Sequence, residues 1–250
     1  MNRKIRSLLL AAPALCLTPL ALAGPAHAQA AQAPAAEPVE RLVALFSNDD
    51  RNKQLFRKLI DVDMPQALTT DPDIAWLEES CPGAVKAMLQ AGEPELWRGF
   101  LEDEAEFKQG LIAIFSAYPA DHVAGMADFF DSPGGRKLFD NAFANVTYDE
   151  TLTSIMSSED GNPSAGALER DRQATERRLR DSMDPSEMAD LDYQLRTAPW
   201  YGNIKDAMPK VTALRSRIDS APPVAEEDAK LEKMMFSGLR SHMKSCGIEF

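Results

Sequence analysis

The chain is 250 residues long and acidic, with 39 Asp and Glu against 27 Lys and Arg, 44% hydrophobic residues and three cysteines. That length and apolar content suffice for the core of one large or two small domains. A formal net charge of −12 repels phosphate backbones and anionic lipid surfaces, so neither nucleic acid nor the bilayer is an expected partner.

Residues 1–28 predict a secretory signal peptide. Arg3, Lys4 and Arg6 precede a leucine-rich run from Ser7 to Ala23, and Ala26-His27-Ala28 offers small residues for cleavage after Ala28. Pro13 and Pro19 interrupt the apolar run, which argues against a membrane span, and the bulky Leu15 before Cys16 argues against a lipid anchor. Three bases leave with the signal, so 39 acids face 24 bases, a net of −15. The expected location is periplasmic. Residues 29–38, rich in Ala, Gln, Pro and Glu, read as a disordered linker.

From residue 39 to 250 nearly every segment has helical spacing. Val39, Leu42, Val43 and Phe46 open the series, followed by Leu55, Phe56, Leu59 and Ile60. The acids Glu102, Asp103, Glu104 and Glu106 read as a solvated face rather than a catalytic carboxylate pair. Phe107, Leu111, Ile114, Phe115 and Tyr118 make one stripe, and Val123, Met126, Phe129 and Phe130 the next. No alternating β-branched run is bounded by an Asn-Gly or Asp-Gly turn, so the fold class is all-α, a multi-helix bundle.

The stretch Asp128 to Asp140, DFFDSPGGRKLFD, interrupts two phenylalanine-rich helices. Ser132 suits an N-cap, Pro133 suits the first helical position, and Gly134 and Gly135 suit a close crossing of two backbones. A competing use is an anion site, with free amides beside Arg136 and Lys137. The corner is the preferred reading.

Beyond a linker at residues 157–166, Leu168 to Met183 alternates arginines, among them Arg177 and Arg180, with acids at a spacing of four, as in a solvated ion-paired helix or a face for an acidic partner. Trp200-Tyr201 at a helix start is the best candidate for exposed aromatics at an interface. Ile204 to Ile218 continues as a helix that Pro209 should bend. After a second linker at 220–227, Leu231, Met235, Leu239 and Met243 form an amphipathic helix ending at Cys246. The pairs Pro119/Pro185, Pro133/Pro199, Leu138/Ile204 and Asp140/Asp206 share a separation of 66, which predicts two related three-helix units at about 100–156 and 167–218.

Once the signal is removed, Cys81 and Cys246 remain, and in an oxidising compartment they are expected to pair as a structural disulfide. No Cys-x-x-Cys is present.

The run Phe129-Phe130-Asp131-Ser132-Pro133-Gly134-Gly135-Arg136-Lys137-Leu138, preceded by Tyr118-Pro119-Ala120-Asp121, resembles the core motif of the bacterial domain of unknown function family 2059. The resemblance covers roughly residues 107–146, with Gly134 in place of the commoner alanine. It implies an exported helical protein of unassigned activity and brings no catalytic residues.

His122 and His242 lack the spacing of a metal motif, and no serine-hydrolase elbow or phosphate loop occurs, so no catalytic residues, metal or cofactor are expected. The expected function is a non-enzymatic envelope protein that binds another envelope protein, with Trp200, Tyr201, Arg136, Lys137, Arg177 and Arg180 as the candidate surface. An alternative is a helical pocket for a small apolar ligand among Phe107, Phe115, Phe129, Phe130 and Phe143. A hydrolase ranks last.

Overall fold

A computed structural model describes residues 36–158, 163–219, 221 and 224–249. The expected signal peptide, most of the first linker and parts of the two internal linkers lie outside the described residues. Among the described residues the protein is all-α, with no strand.

Helix α1 spans Ala36–Phe46, so Pro38 belongs to its first turn rather than to the linker. Asn48 caps α2 (Asp49–Lys58) by accepting from the Asp50 and Arg51 amides. This helix passes through one π-helical stretch (Leu59–Asp63) into α3 (Met64–Leu68), and Asp71 caps α4 (Pro72–Ser80) in the same way. Helix α5 (Ala84–Phe115) has 32 residues and runs for about 48 Å. It continues through Pro94, a residue that ordinarily costs a helix interior about 3 kcal/mol.

Then come α6 (Ala120–Asp131), α7 (Pro133–Ala144), α8 (Asp149–Ser157), α9 (Ala165–Ser182), α10 (Pro185–Thr197), α11 (Tyr201–Asp219) and α12 (Ala225–Ser245). The corner between α6 and α7 has the expected chemistry. Ser132 Oγ accepts from the Gly135 amide at 3.1 Å, and Pro133 occupies the first turn. Gly135 is obligatory: a Cβ there would sit 2.3 Å from the Phe129 carbonyl oxygen and 2.6 Å from Phe130 Cα. At the position 66 residues later, α11 starts at Tyr201, two residues beyond Pro199.

Helix α5 organises two cores. Its first half packs antiparallel to α12, because Ala87 and Ala91 meet Gly238, Gly92 meets Met235, and Glu95 meets Lys230. A Cβ on Gly238 would lie 2.4 Å from Ala91 Cβ and 2.7 Å from the Ala87 carbonyl oxygen, so the two backbones approach as closely as side chains allow. This half buries Leu89, Leu96 and Phe100 with Phe56, Met64, Ile155 and Leu239. The second half packs antiparallel to α11, with Glu104 on Arg215 and Gly110 on Leu214, and buries Phe107, Leu111 and Phe115 with Leu42, Met126, Phe130 and Val211.

Cys81 and Cys246 form a disulfide with Cα atoms 5.8 Å apart, tying the end of α12 to the start of α5. Farther along the same helix pair, Glu95 accepts from Lys230 at 2.7 Å and from Arg98, which also binds Glu227 at 3.1 Å. Those hydrogen bonds from Arg98 and Lys230 hold the Glu95 carboxyl down at about 2. Helix α9 is less solvated than its charge suggests. Asp171 is buried and accepts from the Glu150 and Thr151 amides at 3.1 and 2.7 Å, so it caps α8 from a neighbouring helix. The cost of burying it pushes its carboxyl above the usual range, against those same hydrogen bonds.

Candidate functional site: an arginine trough over a buried ion network

Where the two cores meet on α5, the stripe Phe100, Phe107, Leu111, Phe115 carries a carboxylate at position 104. Glu104 is buried, not on a solvated face, because it stands four residues after Phe100 and three before Phe107 and so shares their side of the helix. Its Oε2 accepts from Ser47 Oγ and Asn52 Nδ2, both at 2.7 Å, and its Oε1 accepts from the buried Arg215 Nη1. The Arg215 guanidinium lies 5.3 Å over the Phe107 ring and brings its Nε to 3.0 Å from Asp219 Oδ1.

That last contact is an ion pair without hydrogen-bond geometry, so Oδ1 is a buried acceptor with no hydrogen-bond donor. One guanidinium thus faces two carboxylates. Burial is the main cause that pushes the Asp219 carboxyl up to about 8; Arg215 opposes the shift, and Asp103 and Glu104 add to it. Burial also opposes the Arg215 charge, but Asp219 and Glu104 more than offset it and leave the guanidinium above its usual range. Tyr148, beside this network, is raised by burial.

The residue before Asn52 on α2, Arg51, points the other way, into an open trough. Two adjoining pockets of about 480 and 550 Å³ share Arg51 and Asp140. The walls come from α1 (Arg41, Leu45), α2 (Leu55, Lys58), the end of α6 (Asp131) and α7 (Arg136, Phe143). Four cations, Arg41, Arg51, Lys58 and Arg136, stand against two carboxylates, Asp131 and Asp140. The lining is therefore net +2 in a chain of net −12, with Asp128 and Asp63 just outside it pairing Arg41 and Lys58.

Arg51 forms the floor. Its guanidinium carbon is 5.2 Å from both the Phe139 and Phe143 rings, its Nη1 donates to the Leu45 carbonyl at 3.2 Å, and its Nε is 3.5 Å from Asp140, too far for a hydrogen bond. The side chain is only 15% exposed. Burial lowers the guanidinium from its usual range, with Asp140 opposing and Arg136 adding to the shift. The other cations are better partnered, Arg136 with Asp131 and Arg41 with Asp128, each at 2.8 Å, and Lys58 with Asp63 at 2.6 Å.

The residues singled out from sequence go to separate places. Arg136 lines the trough, whereas Lys137, one position on, leaves it to pair with Glu187. Trp200 is 7% exposed: Gly125 makes a slot for its indole, and Phe129 packs on it at 5.5 Å, so it belongs to the core and offers no surface. Tyr201 is half-buried against the same cluster. Trp76 and Tyr193, at 56% and 70%, are exposed aromatics instead. Arg177 and Arg180 lie on the exposed side of α9, away from the trough's lining. Phe115 and Phe130 pack on Phe46 at 5.4 and 5.5 Å as core, and His122 Nδ1 meets Asn203 Oδ1 at 3.0 Å.

Arg51 and Glu104 were missed from the sequence, although both sit in the register of an apolar stripe. Arg51 precedes Leu55 by four residues, which places it on the edge of the buried face of α2. Comparison with family models, curated proteins and solved structures found no match. No helix among the described residues is long and apolar enough to cross a membrane.

Proposed function

We propose that the protein is an exported, non-enzymatic envelope protein that binds another protein, and that the trough over Arg51 receives an acidic segment of it. The order of charge, apolar run and small residues at the N-terminus supports export, as does the resemblance of Phe129 to Leu138 to an exported helical family. The observation that carries the binding role is Arg51 itself, a largely buried guanidinium laid on two aromatic rings, with one carboxylate nearby at 3.5 Å and donors to spare.

A partner carboxylate would complete the pairing of Arg51 in a site where part of the water is already excluded, which strengthens its attraction. Leu45, Leu55 and Phe143 along the same walls suit apolar side chains between acids. Summed over the whole chain the charge is negative, which makes a cationic trough the more selective place for such a segment.

Fluorescence anisotropy with a labelled peptide of about eight residues carrying three acids and one phenylalanine tests this against a lysine-for-acid control peptide. The acidic peptide should bind, the control should not, and Arg51→Met should weaken binding by roughly tenfold or more, about 1.4 kcal/mol. Equal binding of the two peptides, or an unchanged affinity in a folded Arg51→Met protein, contradicts the proposal.

A further inference from the structure

We propose that Cys81, Cys246 and His242 form a second, independent site, which binds one zinc-class metal ion when the disulfide is reduced. The three side chains each bring a ligand atom within 4.8 Å of the others. His242 and Cys246 are four residues apart at the end of α12 and so share a face, and Cys81 ends α4 immediately before the Pro82-Gly83 turn into α5.

In a tetrahedral zinc site with metal–sulfur bonds of about 2.3 Å and metal–nitrogen bonds of about 2.0 Å, neighbouring ligand atoms stand roughly 3.5–3.8 Å apart. Reaching that spacing takes side-chain movements of about an ångström. The disulfide has already brought the two Cα atoms to 5.8 Å.

One imidazole nitrogen is already engaged. His242 Nε2 lies 3.0 Å from the Pro82 carbonyl oxygen, which can only accept, so Nε2 carries the proton and Nδ1 keeps its lone pair. A ligating histidine ordinarily has such an outer hydrogen bond, which fixes its tautomer and raises its basicity. Cys81 is fully buried and Cys246 exposed, so the ion would be held from the core side and reached from solvent, with one coordination position left to water.

The chemistry balances with a dithiol as reductant. Two electrons and two protons pass from the dithiol to the Cys81–Cys246 bond, giving two thiols and a disulfide on the reductant. The ion then displaces both thiol protons and binds as the dication on two thiolates and one neutral imidazole, a set with no net charge.

Cobalt(II) is the probe, added in one equivalent to full-length protein reduced with a phosphine, which takes its oxide oxygen from water while the two protons of that water go to the two thiols. The expected result is a sulfur-to-cobalt charge-transfer band with the visible bands of tetrahedral cobalt, abolished by excess zinc and not formed with oxidised protein. His242→Gln, shown by mass and circular dichroism to fold and form the disulfide when oxidised, should bind cobalt roughly tenfold more weakly or worse. No thiolate band in reduced wild type, or equal affinity in His242→Gln, overturns the site. The second outcome would mean that two thiols alone hold the ion, whether or not the reduced chain stays folded.

Discussion

Replacing Asp219 with asparagine should stabilise the protein at neutral and alkaline pH and do little in acid. Asp219 is 5% exposed and shares Arg215 with Glu104, which already holds Ser47, Asn52 and Arg215 as donors. The folded state therefore favours a protonated Asp219, with the carboxyl pushed up from 3.8 to about 8 by burial and by the neighbouring Asp103 and Glu104 against the pull of Arg215. For an acid raised on folding, the stabilising contribution is complete below the unfolded value and is lost as pH rises towards the folded one. The slope is about 1.4 kcal/mol per pH unit. Between pH 4 and pH 8 wild type should lose on the order of 3–5 kcal/mol relative to Asp219→Asn, which cannot ionise.

At about 2–4 °C per kcal/mol for a chain of this size, the variant should melt roughly 6–20 °C above wild type at pH 8 and close to it at pH 4.5. Melting of both proteins by circular dichroism, taken as a difference at each pH, separates this effect from the rest. Glu95 and Glu169, held down at about 2 mainly by hydrogen bonds from Arg98 and Arg172, lose their contributions only as pH falls through the acid range. A lower melting temperature for Asp219→Asn at pH 8 would mean that both carboxylates are charged on Arg215, and would refute the reasoning.

Glu104→Gln removes one of the carboxylates that raise Asp219, so the decline in melting temperature between pH 4 and pH 8 should be smaller than in wild type, with burial and Asp103 sustaining the rest. Gly135→Ala drives a methyl into the Phe129 and Phe130 backbone, and chemical denaturation should show a loss of about 2–4 kcal/mol. Asp171→Ala uncaps α8 at two amides and should cost about 1–2 kcal/mol, with faster hydrogen exchange concentrated at Glu150 and Thr151.

Much of the architecture was legible because apolar spacing and helix-start chemistry are local. The stripes from Val39 to Phe46 and from Phe107 to Phe115 became the inner faces of α1 and α5, and Ser132-Pro133 became a capped corner. The Cys81–Cys246 disulfide followed from two thiols expected in an oxidising compartment. What the sequence hid depends on which helices meet. Trp200 reads as exposed until Gly125 is placed opposite it, and Asp171 reads as one more surface acid until the start of α8 arrives beside it.

The ion network left a trace that local reading passed over. Glu104 occupies a core register between Phe100 and Phe107, and Arg215 stands four residues after Val211, so two opposite charges on apolar stripes are a legible sign of partners. Arg51 left less, since a polar helix start gives no hint of Phe139 and Phe143 beneath it. Nor does composition reveal a cationic trough in a chain of net −12, because charge is summed over residues that the fold then sorts.

The most direct measurement of the central claim is the Arg51 side-chain Nε–Hε resonance in nitrogen-15 labelled protein, assigned by its absence in Arg51→Met and followed as the acidic peptide is added. A saturable shift of that resonance, together with backbone shifts confined to α1, α2 and α7 and none on the exposed face of α9, is the predicted result. Shifts centred on Arg177 and Arg180 with Arg51 unmoved would contradict the account.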